Sequence, residues 1–173
     1  MDWYAEVTSG RLLVSDGAMG TMLQSLGLEP GHCPESWNLA HPERVQQVHR
    51  AYLEAGANLL TTNTFGGNRL RLAAHGLADQ LVEINRRAVE LAREVAGDRA
   101  AVMASVGPTG ALLEPLGDLS EQQAYEIFAE QIEALRQGGA DTVILETFMA
   151  LEEIVAALRA AKALGMRVIA SMS

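Results

Sequence analysis

Thr142-Val143-Ile144-Leu145-Glu146-Thr147-Phe148 decides the fold, because the same pattern recurs along the chain. A short apolar run ends abruptly in polar or glycine-bearing residues. Leu12-Leu13-Val14 runs into Ser15-Asp16-Gly17, and Leu59-Leu60-Thr61 into Thr62-Asn63-Thr64-Phe65-Gly66. Ala101-Val102-Met103-Ala104 leads to Ser105-Val106-Gly107-Pro108, and Val168-Ile169-Ala170 reaches Ser171. Helical stretches separate these runs, so they read as five parallel strands joined by crossover helices. Parallel strands present their carboxyl ends to one rim. Asp16, Asn63, Gly107 and Glu146 are therefore expected to share it, and such rims are where α/β folds bind small molecules.

Working outward, four helices are marked by period and punctuation. Pro42 and Glu43 open the first, which carries Val45, Val48, Tyr52 and Leu53 before Gly56. The second sets Leu81, Ile84, Ala88, Leu91 and Val95 on one stripe and stops at Gly97. Ser120 and Gln123 form a capping-box signature for the third, whose apolar face is Ala124, Ile127, Phe128, Ile132 and Leu135. The fourth carries Leu151, Ile154, Val155, Leu158 and Ala161 and stops at Gly165. Every helix-to-strand link is a tight glycine turn. The first three strand-to-helix links are long, on the order of 12 to 25 residues where about 2 to 6 are usual. A fold that keeps long loops on one face generally uses that face.

Two architectures fit five strands and four helices. A flavodoxin-like open sheet would cover its last strand with a fifth helix. A (β/α)₈ TIM barrel needs about 250 residues. Because the sequence stops at strand five, it reads as the first five strands and four helices of a barrel, with residues 1–173 forming the N-terminal part of one domain. On that reading strands one and five are open edges. A free 173-residue polypeptide is then expected to self-associate or to be poorly soluble.

Composition narrows the function. The chain is 49% hydrophobic and 20% charged, as ordinary globular proteins are. A formal net charge of -9, with 13 Lys+Arg scattered along helices, argues against nucleic acid or an anionic membrane surface as partners. No apolar run approaches the roughly 20 residues of a membrane helix, and the acidic start Met1-Asp2-Trp3-Tyr4-Ala5-Glu6 lacks a signal-peptide core. One cysteine, Cys33, permits no internal disulfide and fits a reducing cytoplasm.

Asp16-Gly17-Ala18-Met19-Gly20-Thr21 could form an anion-binding nest of backbone amides, or simply a turn with a capping aspartate. It is neither a Walker loop nor a dinucleotide fingerprint. Glu146 closes an apolar strand, so burial should raise its pKa unless it meets a cation or donors; the plain alternative is an ion pair with an arginine. Two carboxylates facing one pocket suit a substrate ammonium group. Asn63-Thr64 and the Gly107-Pro108-Thr109-Gly110 turn should add hydrogen-bonding groups at the same rim, although turn chemistry alone explains either. Other chemistries are missing. The only lysine, Lys162, lies on the fourth helix, which leaves no Schiff-base site. His32, His41, His49 and His75 lack zinc-ligand spacing and read as solvated or capping residues, and Met19, Met22 and Leu23 read as a short apolar loop element.

These motifs, in this order and spacing, resemble the homocysteine S-methyltransferase family, as does Pro42-Glu43-Arg44-Val45 through Glu54-Ala55-Gly56-Ala57. The similarity is strongest to the amino-terminal, homocysteine-binding module of cobalamin-dependent methionine synthases, and it runs from about Arg11 onward. The resemblance implies a barrel that binds homocysteine at its carboxyl rim, with zinc on three cysteines turning the thiol into an attacking thiolate. By motif, Asp16 and Glu146 would hold the homocysteine ammonium, amides of the turn Gly17, Ala18, Met19, Gly20 and Thr21 would meet its carboxylate, and Asn63 and Thr64 would line the pocket. The family's zinc cysteines lie on later strands, and Cys33 matches none of them. The chain would thus carry the amino-acid half of the site and be inactive alone. The implied methyl route is methylcobalamin recharged from 5-methyltetrahydrofolate, with the folate and cobalamin modules of the same polypeptide as partners. Betaine or S-methylmethionine as donor, or a non-catalytic amino-acid-binding module, are the alternatives.

Overall fold

The computed structural model describes residues 1–173. Its frame is a four-stranded parallel sheet in the order β1 (Leu59–Thr61), β2 (Ala101–Val106), β3 (Thr142–Phe148) and β4 (Arg167–Met172). Eight helices accompany it: α1 (Trp3–Thr8), α2 (Met19–Ser25), α3 (Trp37–Ala40), α4 (Pro42–Glu54), α5 (Arg69–Ala73), α6 (Leu81–Ala96), α7 (Glu121–Gln137) and α8 (Leu151–Ala163). The four long ones, α4, α6, α7 and α8, are those the periodicity predicts. The capping box forms as expected: Gln123 N donates to Ser120 Oγ at 3.2 Å, and Ser120 N to Gln123 Oε1 at 2.9 Å.

The expected first strand is reduced to a single bridge. Asp16 N donates to Leu59 O at 2.9 Å, and Ser15 pairs with Leu59 in parallel, but no ladder extends from there. The physical reason is visible in the side chains. Leu12 is 92% and Val14 60% exposed, so the run finds nothing to bury against and gains little from strand geometry. The four short helices were not foreseen. Of these, α2 corrects the reading of Met19, Met22 and Leu23 as a loop element: Leu23 is fully buried with Trp37, Val45 and Val48.

One face of the sheet is closed by helices. Val143, Leu145 and Phe148 of β3 pack with Phe128, Ile132 and Leu135 of α7 and with Ile154, Ala157 and Ala161 of α8. The alternate residues of β3, Ile144 and Glu146, face the other way and are half-buried. At the amino ends of the strands α1 is fastened by Trp3 Nε1 donating to Thr142 Oγ1 at 3.0 Å and by the Arg167–Asp2 ion pair at 2.8 Å. No helix is long and apolar enough to cross a membrane.

Candidate functional site

A cleft of about 440 Å³ opens at the carboxyl ends of β1, β2 and β3. Of the residues the sequence singles out, Asp16, Gly17, Ala18, Met19, Gly20, Asn63, Thr64 and Glu146 all line it. Thr21 does not; it is exposed on α2. A larger cleft, about 510 Å³, lies at the opposite end beside α1. Its arginines are engaged, Arg167 with Asp2 and Arg93 with Gly139 O, so chemistry favours the smaller one.

Asp16 enters the cleft directly after the bridge at Ser15. Its Oδ2 accepts from Thr61 N at 2.8 Å and its Oδ1 from Thr61 Oγ1 at 2.9 Å. Burial nevertheless pushes its carboxyl up to about 6, overriding those donors, and the charge of Glu146 pushes the same way. The two carboxylates therefore sense one another across the cleft. Glu146 forms no ion pair with an arginine; its Oε1 accepts from Ser105 Oγ. Ser105 is a hub, since its N donates to Thr62 Oγ1 at 3.0 Å and its O accepts from Thr64 Oγ1 at 2.7 Å.

Glu146 reaches the cleft by strand alternation with Ile144, and the ladder breaks just beyond it. The β3–β4 register shifts between Leu145 and Phe148, and Thr147 adopts φ +65°. A β-branched residue in that region is strained. The kink returns Phe148 to the core while Glu146 stays at the cleft.

Asn63 is 4% exposed. Its Nδ2 donates to Pro34 O at 2.7 Å and Asn38 Oδ1 at 3.0 Å, while Asn38 Nδ2 donates back to Asn63 O at 2.8 Å. This clasp ties the segment after β1 to residues 34–38. Thr64 is fully buried and spends its hydroxyl on Thr62 and Ser105, so it supports the wall rather than presenting a free group. Tyr52, which the sequence offers only as part of an apolar stripe, donates its hydroxyl to Ala18 O at 3.0 Å. A Cβ on Gly17 would lie 3.0 Å from that hydroxyl, so glycine lets the Asp16 loop close over it.

The Gly107-Pro108-Thr109-Gly110 turn departs from expectation. Thr109 N and Oγ1 both donate to the buried Glu153, at 2.8 and 2.6 Å, and Pro108 O accepts from Arg71 Nε at 3.0 Å. Its groups are consumed in holding the rim to α8 and do not line the cleft. One further residue, His49, was misread as solvated or capping. His49 is fully buried on α4, with neither ring nitrogen hydrogen-bonded, and burial lowers its pKa to about 4. Cys33 is buried and donates its thiol to Glu35 Oε2 at 3.2 Å; burial first, then the Glu35 charge, pushes it up to about 12. It is an inert thiol at neutral pH.

The sequence from 13 to 173 matches the profile of homocysteine S-methyltransferases. The chain belongs to the homocysteine S-methyltransferase family. Similar proteins include the methionine synthase of Mycobacterium leprae, 35% identical over 88% of this chain and 14% of the relative, and betaine–homocysteine S-methyltransferase 1 of Sus scrofa, 32% identical over 96% of this chain and 61% of the relative. The structure of the homocysteine methyltransferase MmuM from Escherichia coli in its oxidised form superposes with a TM-score of 0.80 at 27% identity, covering 92% of this chain and 61% of that one. Its metallated form gives the same TM-score at 25% identity. The chain thus spans 14% of the methionine synthase and about three-fifths of the other two relatives.

The family's metal finds no set of ligands here. No three of His, Cys, Asp and Glu are grouped so as to hold a metal ion, and the one cysteine is held protonated beside a carboxylate. This chain's residues do not fit a zinc site.

Proposed function

We propose that the cleft binds the amino-acid end of homocysteine, in a methyltransferase that moves a methyl group to the homocysteine thiol and forms methionine. The observation that carries this reading is the pair Asp16 and Glu146, two carboxylates without cationic partners at one cleft. The homocysteine ammonium would sit between them and offset the burial, and the smaller repulsion from Glu146, that raise Asp16. Asn63 Oδ1, which receives no hydrogen bond from the chain, offers a third acceptor. Backbone amides of the Gly17–Gly20 turn would meet the carboxylate, leaving the thiol to project away from the turn. Ser105 and Thr61 orient the two acids and take no proton themselves.

On this reading residues 1–173 are the N-terminal part of a (β/α)₈ barrel, supported by the TM-score of 0.80 over about three-fifths of a larger relative. The metal ligands then belong to other strands, and this portion alone is inactive. Methylcobalamin recharged from methyltetrahydrofolate is the proposed methyl route, in the cytoplasm, with folate and cobalamin modules as partners. The similarity to a methionine synthase supports that choice; the similarity to a betaine-dependent enzyme keeps betaine as the alternative. Calorimetric titration of homocysteine into the full chain tests the site. Glu146→Gln is expected to weaken binding by about 1.5–3 kcal/mol, the worth of a charge-assisted hydrogen bond. Unchanged affinity in both Glu146→Gln and Asp16→Asn would refute it.

A further inference from the structure

Glu35 stands in the wall of the same cleft, on the 3₁₀ turn Pro34–Ser36, and is 5% exposed. Its Oε1 accepts from Gly66 N at 2.6 Å and its Oε2 from the Cys33 thiol at 3.2 Å, both neutral donors. Arg71, packed near Gly66, turns elsewhere: it donates to Pro108 O and lies 5.5 Å over the Phe65 ring, with no ion pair to Glu35. A buried carboxylate without a counter-charge is costly, and such groups concentrate where a ligand uses the field.

The rest of the wall agrees. Asn63 is buried, and its one free atom is an acceptor oxygen. The lining includes three carboxylates and no lysine, arginine or histidine. Asp16 and Glu146 can touch a bound ammonium. Glu35, with both oxygens already bonded, acts on it through space.

We propose that Glu35 is a specificity-determining residue of this cleft: its charge selects a cationic amino group over an anionic analogue, while its bond to Gly66 N holds the segment that carries Asn63 and Phe65. This rests on the homocysteine reading above.

The test compares two ligands on the full chain by calorimetry under reducing conditions: homocysteine, and 4-mercaptobutanoate, which keeps the thiol and carboxylate but lacks the ammonium. Glu35→Gln retains an acceptor for Gly66 N and removes the charge. Homocysteine should weaken at least about fivefold and 4-mercaptobutanoate should tighten, as expected for a charge acting at an effective dielectric near 20. Glu35→Asp keeps the charge and withdraws it from Gly66; it should lower both affinities and preserve their ratio within about twofold. A role in packing alone would weaken both ligands alike in Glu35→Gln and shift the ratio in neither variant, and that result overturns the proposal, as does loss of the ratio in Glu35→Asp. A wild-type chain that binds no homocysteine overturns the homocysteine reading itself and this inference with it. Wild-type binding with an unmoved ratio overturns only the role of Glu35.

Discussion

Homocysteine affinity should depend on pH through Asp16. In the empty cleft burial and the neighbouring Glu146 raise this carboxyl from 3.8 to about 6. A shift of roughly two units corresponds to about 3 kcal/mol spent on ionising it in the folded chain. The protonated form is thus favoured by folding, so the fold loses stability as pH rises from about 4 through about 6 and carries that deficit at neutral pH. A bound ammonium recovers it, because the ammonium is complementary only to the ionised form. The dissociation constant should therefore be flat above about pH 7 and rise toward tenfold per unit below pH 6, with about half a proton released per ligand bound at pH 6. Asp16→Asn should flatten this profile and weaken binding at pH 7.5 by about 10- to 150-fold. The same variant should stabilise the unliganded fold at neutral pH by about 1–2 kcal/mol, less than the full shift because Asp16 is only half-buried and Thr61 loses a charged acceptor. Titrations in buffers of different ionisation enthalpy give proton release directly. Affinity independent of pH between 5 and 7 in the wild type would refute the reasoning.

His49 titrates with the opposite consequence. Its pKa is lowered to about 4, so the unfolded chain takes up a proton first and stability is lost as pH falls from about 6.5 to 4, by about 3 kcal/mol. In the wild type Asp16 offsets part of that loss; urea melts of Asp16→Asn should expose it in full, and His49→Leu should abolish it. Equal acid sensitivity in His49→Leu would show that another group controls it. Gly107→Ala should destabilise by about 1–3 kcal/mol, since its Cβ would stand 2.5–2.7 Å from the Phe65 ring. A denaturant midpoint unchanged from wild type would refute that packing.

Much of this site was legible in the sequence because strand ends are. An apolar run followed at once by Asp16 or Glu146 places an acid at a rim whatever the details of pairing. The long helices were legible for a similar reason: the 16 residues of α6 span more than four turns of one stripe, whereas α3 and α5 are too short to show a period. The misses depend on where elements meet. Ser105 belongs to a quoted strand end, but only the pairing of β2 with β3 brings its hydroxyl to Glu146. Glu35, on the short Pro34–Ser36 turn, carries neither a strand-end nor a periodic signal. The donors of the Gly107–Gly110 turn were assigned to a ligand, yet Glu153, in the first turn of α8, takes them. His49 stands four residues from both Val45 and Leu53, on the buried stripe of α4, so its period pointed to the core although its residue type pointed to water.

Three departures from stable-fold rules stand at the carboxyl end of the sheet. Asp16 is ionised against its own burial, Glu35 is buried without a cation, and the clasp at Asn63 leaves an acceptor open. At the other end, the corresponding polar groups are matched: Asp2 with Arg167, Trp3 with Thr142, Arg93 with Gly139. A fold with nothing to bind would gain stability by neutralising any one of the first group, for instance with an arginine reaching Glu146 from the facing strand. Each is instead an unmet electrostatic or hydrogen-bonding demand of one sign, for a donor carrying positive charge. A single ammonium would meet several of them together, so the destabilisation stored in the empty cleft is returned as binding energy when an amino acid enters.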